Sequence, residues 1–284
     1  MKIIETIDGF RDGLRRVERP LGLVPTMGAL HDGHMALVSR ARTESATLAV
    51  SIFVNPAQFG PREDFSSYPR DVEADLSRLE SAGVDLVFSP PVEELYPEGF
   101  DTYVDVGGIA GRLEGAARPG HFRGVATVVC KFLAIARPDV AYFGQKDAQQ
   151  CMVVRRLNAD LDLGAEIVVV RTVREADGLA LSSRNVLLGP EERKAAAVLY
   201  RALCLGRSLW EGGVADADRI RREVRTLIEA EPLARVDYVS VADAASLEER
   251  QNVDGPAMLS LAVRFGGTRL IDNVALERAS YVAK

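Results

Sequence analysis

Cysteine is scarce in this chain, and what there is stands apart. The three cysteines, Cys130, Cys151 and Cys204, form no CxxC pair, and only three histidines accompany them in 284 residues. That count argues against a disulfide framework and a clustered zinc site, and leaves the cysteines as small apolar residues on helices. Long apolar runs are missing too: the longest, such as residues 48–54, fall far short of the roughly 20 residues of a membrane span. The opening Met1-Lys2-Ile3-Ile4-Glu5 is broken by an acidic residue and does not read as a signal peptide. Nor is there an excess of positive charge. With 35 Lys and Arg against 41 Asp and Glu the net charge is -6, which disfavours nonspecific nucleic-acid binding, so an anionic substrate needs a locally basic pocket. These absences point to a cytosolic globular protein with neither nucleic acid nor membrane as partner.

What is present is the composition of an ordinary globular protein, 47% hydrophobic and 27% charged. The length fits one large or two medium domains. From residue 21 to about 173 short β-branched runs alternate with amphipathic stretches, the pattern of parallel βαβ units. Strands are expected at 21–25, 48–54, 86–89, 140–143 and 167–170, each a nearly continuous apolar run, as a sheet covered on both faces requires. Val72, Leu76, Leu79 and Ala82 recur at helical spacing, as do Val125, Val128, Val129 and Phe132, and both sets predict helices with one buried stripe. Residues 56–69 and 107–124 break the periodicity and read as loops. After residue 184 the character changes to helices at 195–210 and 220–228 and strands at 236–241, 258–265 and 270–271. The expected fold is therefore α/β: a Rossmann-like, doubly wound parallel sheet over residues 1–172, followed by a smaller α+β domain over 173–284.

Chemistry concentrates where strands end. The first strand runs into Thr26-Met27-Gly28-Ala29-Leu30-His31-Asp32-Gly33-His34, after which Met35, Leu37, Val38 and Ala41 begin a helical period. Such a strand–turn–helix junction aims backbone N–H groups and the positive end of the helix dipole at an anion. Gly33 would let a phosphate approach the backbone, and His31 and His34 can donate ring N–H bonds. The helix N-terminus should keep them neutral, while an arriving triphosphate would favour their protonation. A second junction, Gly144-Gln145-Lys146-Asp147 with Gln149 and Gln150 one turn on, would project Lys146 into the crevice at the carboxyl ends of the strands. Asp147 doubles as an N-cap. A third stretch, Leu181-Ser182-Ser183-Arg184-Asn185, offers two hydroxyls beside a guanidinium, a flexible phosphate clamp. In Asn55-Pro56-Ala57-Gln58 a strand end delivers amides to the same crevice. Each feature also has a plain reading: incidental histidines near a turn, a solvated loop lysine, a simple Ser-Ser-Arg-Asn turn, exposed glutamines.

Taken together, PTMGALHDGH at 25–34, FVNPAQF at 53–59, RPGHFRGVATVV at 118–129, AYFGQKDAQQ at 141–150 and READGLALSSRN at 174–185 resemble the pantothenate synthetase (pantoate-beta-alanine ligase) family. That family lies within the HIGH-type nucleotidylyl transferases. The resemblance implies an ATP- and pantoate-binding first domain and a C-terminal lid. ATP would contact Met27, Gly28, Ala29, Leu30, His31, Asp32, Gly33 and His34, then Gly144, Gln145, Lys146, Asp147 and Val173, then Leu181, Ser182, Ser183 and Arg184. Pantoate, and β-alanine after it, would lie against Pro25, Met27, Gln58, Val125, Val128, Val129 and Gln150. His34 is the position the family assigns as proton donor, and a homodimer and Mg²⁺ are implied with it. Two positions depart from the family pattern. Ala74-Asp75 stands where adjacent acidic residues often lie near a magnesium site, which puts Asp75 as a metal ligand in doubt, and Leu181 replaces a common methionine of similar volume.

The implied reaction joins pantoate to β-alanine, using ATP, through a pantoyl-adenylate, releasing pyrophosphate and then AMP and so supplying a coenzyme A precursor. His31, His34, Lys146, Ser182, Ser183 and Arg184 would hold the phosphates as charge moves toward pyrophosphate. Residues 61–69 and the Ser182–Arg184 stretch are the expected closing segments. Two rivals remain at this point: a relative that transfers a nucleotidyl group to a phosphate, and a nucleotide-sensing module without catalysis. The valine wall favours a phosphate-free acid over the first, and the retention of all three phosphate motifs argues against the second.

Overall fold

The computed structural model describes residues 1–277 apart from Arg62 and Asp64, so part of the expected 61–69 loop lies outside the described residues. The chain divides into two compact units, Met1–Val173 and Arg174–Lys284.

In the first unit β1 (Lys2–Ile4), α1 (Ile7–Leu14), β2 (Leu21–Thr26), α2 (Asp32–Glu44), β3 (Thr47–Ile52), α3 (Val72–Ser81), β4 (Leu86–Phe88), α4 (Val92–Leu95), α5 (Leu113–Ala117), α6 (His121–Ala136), β5 (Val140–Gly144), α7 (Ala148–Asp160) and β6 (Glu166–Val170) follow in order. The six strands form one parallel sheet in the order β1-β4-β3-β2-β5-β6. Side chains alternate across its two faces, as a period of two requires. Leu21, Leu23, Ala49 and Phe88 join a core with Phe10, Val129, Phe132 and Val153, under α1, α6 and α7. Val24, Leu48, Val50 and Val87 join another with Leu37, Val38, Ala41 and Leu79, under α2 and α3. Helices thus cover both faces, the reason the strands read as unbroken apolar runs. The chain travels outward from β2 to β3 and β4, then returns to β5 and β6 on the other side. The direction of winding therefore reverses between β2 and β5, where doubly wound sheets open a ligand crevice beyond the carboxyl ends of the strands.

Three expectations change. Helix α3 does not bury the stripe its spacing implied: Val72, on its first turn, is 47% exposed, and the buried positions are Asp75 and Leu79. Helix α6 is buried nearly all round, with Phe122, Val125, Ala126, Val128, Val129, Phe132 and Leu133 all in the core, so its periodicity understated its enclosure. Residues 107–124 are not one loop. They hold a 3₁₀ turn at Gly108–Gly111, α5 and the first turn of α6, which Gly120 opens in the left-handed region (φ 84°). Edge strand β1 went unread because three residues, largely exposed, carry no periodic signal.

The second unit contains α8 (Pro190–Ala196), α9 (Val198–Glu211), α10 (Ala217–Glu229), β7 (Ala234–Asp243), β8 (Ala257–Phe265) and β9 (Thr268–Leu276). Its strands form an antiparallel sheet, β7-β8-β9. Ala202 and Leu203 of α9 and Ile220 and Val224 of α10 pack on Val241, Leu259, Leu261 and Val263 to make a separate core. The single helix expected over 195–210 is two, parted at Ala197.

Candidate active site

At the carboxyl end of β2 the chain must turn sharply into α2. Gly28 (φ 78°) and Ala29 (φ 50°) both take the left-handed conformation, which costs a residue bearing a Cβ roughly 1–2 kcal/mol. Asp75 of α3, only 3% exposed, offsets that cost. Its Oδ2 accepts from the Ala29 N–H at 2.8 Å and its Oδ1 from the Leu30 N–H at 2.7 Å. A Cβ at Gly28 would stand 2.9 Å from Asp75 Oδ2, so glycine is required on space as well as conformation. Burial pushes the Asp75 pKa above the ordinary carboxylate value, and the two backbone N–H groups pull it back. Replacing Asp75 with alanine is expected to destabilise the first unit by about 1–3 kcal/mol, because one buried and one part-buried donor lose their acceptor. It should also raise the KM for ATP. Urea unfolding together with ATP titration checks both, and wild-type values in each would remove Asp75 from this role.

Helix α2 begins with a reciprocal cap built from the two histidines. His31 Nδ1 accepts from the Gly33 N–H at 3.1 Å, and His34 Nδ1 accepts from the His31 N–H at 3.3 Å. An accepting Nδ1 carries no proton, so both neutral rings present Nε2–H as a donor. The rings lie 4.0 Å apart, centroid to centroid, tilted by 32°. Burial, then the Lys146 cation, lowers the His31 pKa to about 4. Burial, then His31, lowers that of His34 to about 3. Neutrality at pH 7 thus comes from desolvation first, where the sequence pointed to the helix N-terminus. Protonation by an arriving phosphate would have to sacrifice an Nδ1 capping bond, so the rings are built to act as neutral donors.

The end of β5 supplies the opposing charge. A 3₁₀ turn, Gln145–Asp147, leads into α7, and Lys146 Nζ lies 3.5 Å from Asp147 Oδ1. Lys146 and Asp147 both perturb the two histidines electrostatically, which sets all four side chains around one crevice at the β2–β5 switch point. Asp147 occupies the N-cap position of α7, but its carboxylate makes no capping bond, contrary to its expected second role. Gln149, one turn on, is buried and serves the scaffold: it donates to the Ile109 and Arg112 carbonyls and accepts from the Glu114 N–H. Gln150, beside it, is half-buried.

Beyond β3, Asn55 caps a 3₁₀ turn, Pro56–Gln58. Its amide donates to Gln58 Oε1 at 3.0 Å and to the Gly124 carbonyl at 3.1 Å, and its Oδ1 accepts from the Tyr96 hydroxyl at 2.8 Å. The Gln58 amide in turn donates to Met27 Sδ at 3.1 Å. This turn lies directly on α6: a Cβ at Gly124 would sit 2.1 Å from the Ala57 carbonyl oxygen. Val125, Val128 and Val129 follow on the same helix, buried in the core. Asn55 stands out in the sequence at a strand end; Tyr96 does not. A lone tyrosine 41 positions away along the chain carries no local signal.

Pro25 lies in β2, opposite Ser51 of β3, and Val173 closes the first unit. Leu181, Ser182, Ser183 and Arg184 belong to the second unit. There Ser182 Oγ accepts from the Arg184 N–H at 3.3 Å and caps a 3₁₀ turn, Ser183–Leu187. The turn is braced by Asn185, which donates to Glu175 Oε1 and the Ala180 carbonyl. Arg174 and Ala180 form a β-bridge ahead of it in the chain.

No group of three or more His, Cys, Asp or Glu among the described residues could hold a metal ion. With both Asp75 oxygens taken by backbone N–H groups, the donor set does not fit a protein-borne Mg²⁺, and Asp75 is assigned to the turn instead. Among the described residues no helix is long and apolar enough to cross a membrane.

A family model described as pantoate-beta-alanine ligase matches residues 2–275. A pantothenate synthetase from Roseiflexus sp. (strain RS-1) is 58% identical over 277 residues, covering 98% of this chain and 100% of that protein. One from Chloroflexus aurantiacus (strain ATCC 29366 / DSM 635 / J-10-fl) is 58% identical over 279 residues, covering 98% and 99%. In structure, pantothenate synthetase from Thermus thermophilus superposes with a TM-score of 0.94 at 48% identity, over 98% of this chain and 100% of that one. Pantoate-beta-alanine ligase from Francisella tularensis, complexed with beta-gamma ATP and beta-alanine, gives a TM-score of 0.81 at 33% identity, over 98% and 99%.

Proposed function

The chain belongs to the pantoate-beta-alanine ligase family and is an enzyme, and from that premise we propose that it condenses pantoate with β-alanine through a pantoyl-adenylate formed at the β2–β5 crevice. The observation that carries this reading is the pair of neutral histidines, each with Nδ1 in the cap and its proton on Nε2, beside the Lys146 cation. A carboxylate is already ionised at neutral pH, so its attack on the α-phosphate needs no general base. A bond forms from the pantoate carboxylate oxygen to the α-phosphorus as the bond to the bridging oxygen of the leaving pyrophosphate breaks. What the site must supply is positioning and stabilisation of shifting negative charge, which preorganised donors in a desolvated crevice provide.

In the second step the neutral β-alanine amine attacks the acyl carbon, the C–N bond forms as the bond from that carbon to the AMP phosphate oxygen breaks, and the nitrogen gives up a proton to solvent as AMP leaves. Gln58 and Gln150, with Pro25 and Met27, are assigned to the polar groups of pantoate. Val125, Val128 and Val129 are assigned to its gem-dimethyl group. Gly144, Gln145, Asp147 and Val173 are assigned to ATP along with the turn from Met27 to His34. The second signature, Leu181, Ser182, Ser183 and Arg184, is assigned to the phosphates on its family match alone, as is the covering role of the second unit. Mg²⁺ enters with ATP as the metal–nucleotide substrate. A cytosolic location and a homodimer are likewise carried over from the family resemblance.

The test is ATP–pyrophosphate exchange. It is expected to depend on pantoate, with AMP released once β-alanine is added. A folded preparation showing no pantoate-dependent exchange would sink the assignment.

A further inference from the structure

Arg118 and His121, just before and at the start of α6, have no role in the mechanism above, yet they anchor a closely bonded charged cluster. Arg118 Nε donates to Glu63 Oε1 at 2.7 Å, and one terminal nitrogen donates to Glu63 Oε2 at 2.6 Å. This is the two-pronged grip a guanidinium makes on a carboxylate. The other terminal nitrogen lies 3.1 Å from His121 Nε2. On the far side of that ring, Nδ1 is 2.9 Å from the Gln58 carbonyl oxygen. A carbonyl can only accept, so Nδ1 carries the proton and Nε2 accepts from Arg118. Burial first, and then the Arg118 cation, lowers the His121 pKa to about 4, which keeps the ring in that neutral form.

The guanidinium is therefore tethered, through a fixed imidazole, to the backbone of Gln58, the residue assigned to the acid substrates. Its fork faces away from the tether and holds a carboxylate. The pair is largely enclosed, with the Arg118 side chain 17% exposed and Glu63 24%. Other cations on α6 are engaged elsewhere: Arg123 lies over the Tyr103 ring and pairs with Asp105, and Lys131 lies over the Phe100 ring. Lys146 stands with the phosphate-facing histidines. An amino-acid acceptor brings two ends, an amine that must reach the acyl carbon and a carboxylate that must be held away from the departing phosphate. Exchanging the Glu63 carboxylate for a substrate carboxylate keeps the charge on the fork and both Arg118 hydrogen bonds, and gives up only the bond that the Gly60 N–H donates to Glu63 Oε2 at 3.2 Å, so the swap carries little desolvation penalty for the guanidinium.

Resting on the reading above, we propose that Arg118, oriented by His121, binds the carboxylate of the β-alanine acceptor, and that Glu63 occupies the same fork until the acceptor arrives.

The full-length enzyme tests this with three readouts: pantoate-dependent exchange, AMP release with β-alanine, and AMP release with hydroxylamine, an acceptor without a carboxylate. Arg118→Gln is expected to raise the KM for β-alanine by at least about tenfold, the scale of a lost charged hydrogen bond. Exchange and hydroxylamine-dependent release should each change by less than about threefold, since neither needs that contact. Glu63→Gln should leave the β-alanine KM unchanged or lower it, because it removes a competitor. Arg118→Lys, which keeps the charge without the fork, should fall between wild type and Arg118→Gln. A β-alanine KM near wild type in Arg118→Gln overturns the proposal. So does an equal loss of hydroxylamine release, an Arg118→Lys no better than Arg118→Gln, or a Glu63→Gln defect matching that of Arg118→Gln, which would make the pair a loop anchor only. Absence of pantoate-dependent exchange in the wild type would instead strike the underlying reading, before any variant is made.

Discussion

Replacing Lys146 with alanine is expected to lower pantoate-dependent ATP–pyrophosphate exchange by about 10²–10³-fold, the usual consequence of deleting one preorganised donor to developing negative charge. The expectation is this large because Lys146 is the fixed cation whose field reaches both histidines at the crevice. Its side chain is only 19% exposed, so solvent screens it poorly. The Nε2–H groups of His31 and His34 supply dipoles; the ammonium supplies net charge. A second readout follows from the same field. The Lys146 cation depresses the His31 pKa, second only to burial. In Lys146→Ala the His31 pKa should therefore rise from about 4 toward, without reaching, the ordinary imidazole value, as NMR titration of the ring would record. An exchange rate near wild type would remove Lys146 from the mechanism. An unmoved His31 titration would show that the two side chains do not share one site.

The largest stability effect is expected in the second unit, at Asp272. Its carboxylate is almost wholly enclosed, with the side chain 1% exposed. It accepts from both terminal nitrogens of Arg174, at 2.6 and 2.9 Å, and from the Asn273 N–H at 2.8 Å. Arg174 also donates to the Gly178 carbonyl at 3.1 Å and lies 4.0 Å over the Tyr200 ring. Asp272→Ala would leave a guanidinium desolvated without its counter-charge, a loss of about 3–5 kcal/mol when one partner of a buried pair is removed. Asp272→Asn, which keeps an acceptor but not the charge, should cost less. The single tryptophan, Trp210, packs against the core of this unit and reports its unfolding by fluorescence. The urea midpoint read at Trp210 should fall sharply in Asp272→Ala. Arg174 bridges to Ala180, just ahead of Ser182, Ser183 and Arg184, so the phosphate role proposed for that segment predicts a higher KM for ATP in the same variant. A midpoint within error of wild type would mean that Arg174 finds another partner or reaches water.

Much of this was legible from the sequence because the signals are local. Five of the six strands of the parallel sheet show as apolar runs, and the turn between β2 and α2 shows as a strand meeting Gly-bearing residues and a helical period. Lys146 was read in the same way, one strand further along. What escaped reading depends on residues distant along the chain. Asp75 looked like a possible metal ligand, and only its approach to Ala29 and Leu30, some 45 positions away, gives it the turn to hold. Val72 looked buried because spacing describes a helix's repeat but not its rotation against the core. The tautomers of His31 and His34 follow from which backbone N–H each ring meets, a matter of ångströms that no pattern of letters encodes.

Local sequence alone determined the strands that are apolar runs, the longer helices and the residue kinds at each strand end, because hydrophobic period, turn chemistry and capping act over a few residues. Tertiary structure alone decided that His31, His34, Lys146 and Asp147 meet at one crevice, that the histidines stand there neutral with the proton on Nε2, and that Arg118 is tethered through His121 to Gln58. Those outcomes depend on burial, on electric fields that act through space, and on hydrogen bonds between segments that only the winding of the sheet brings together.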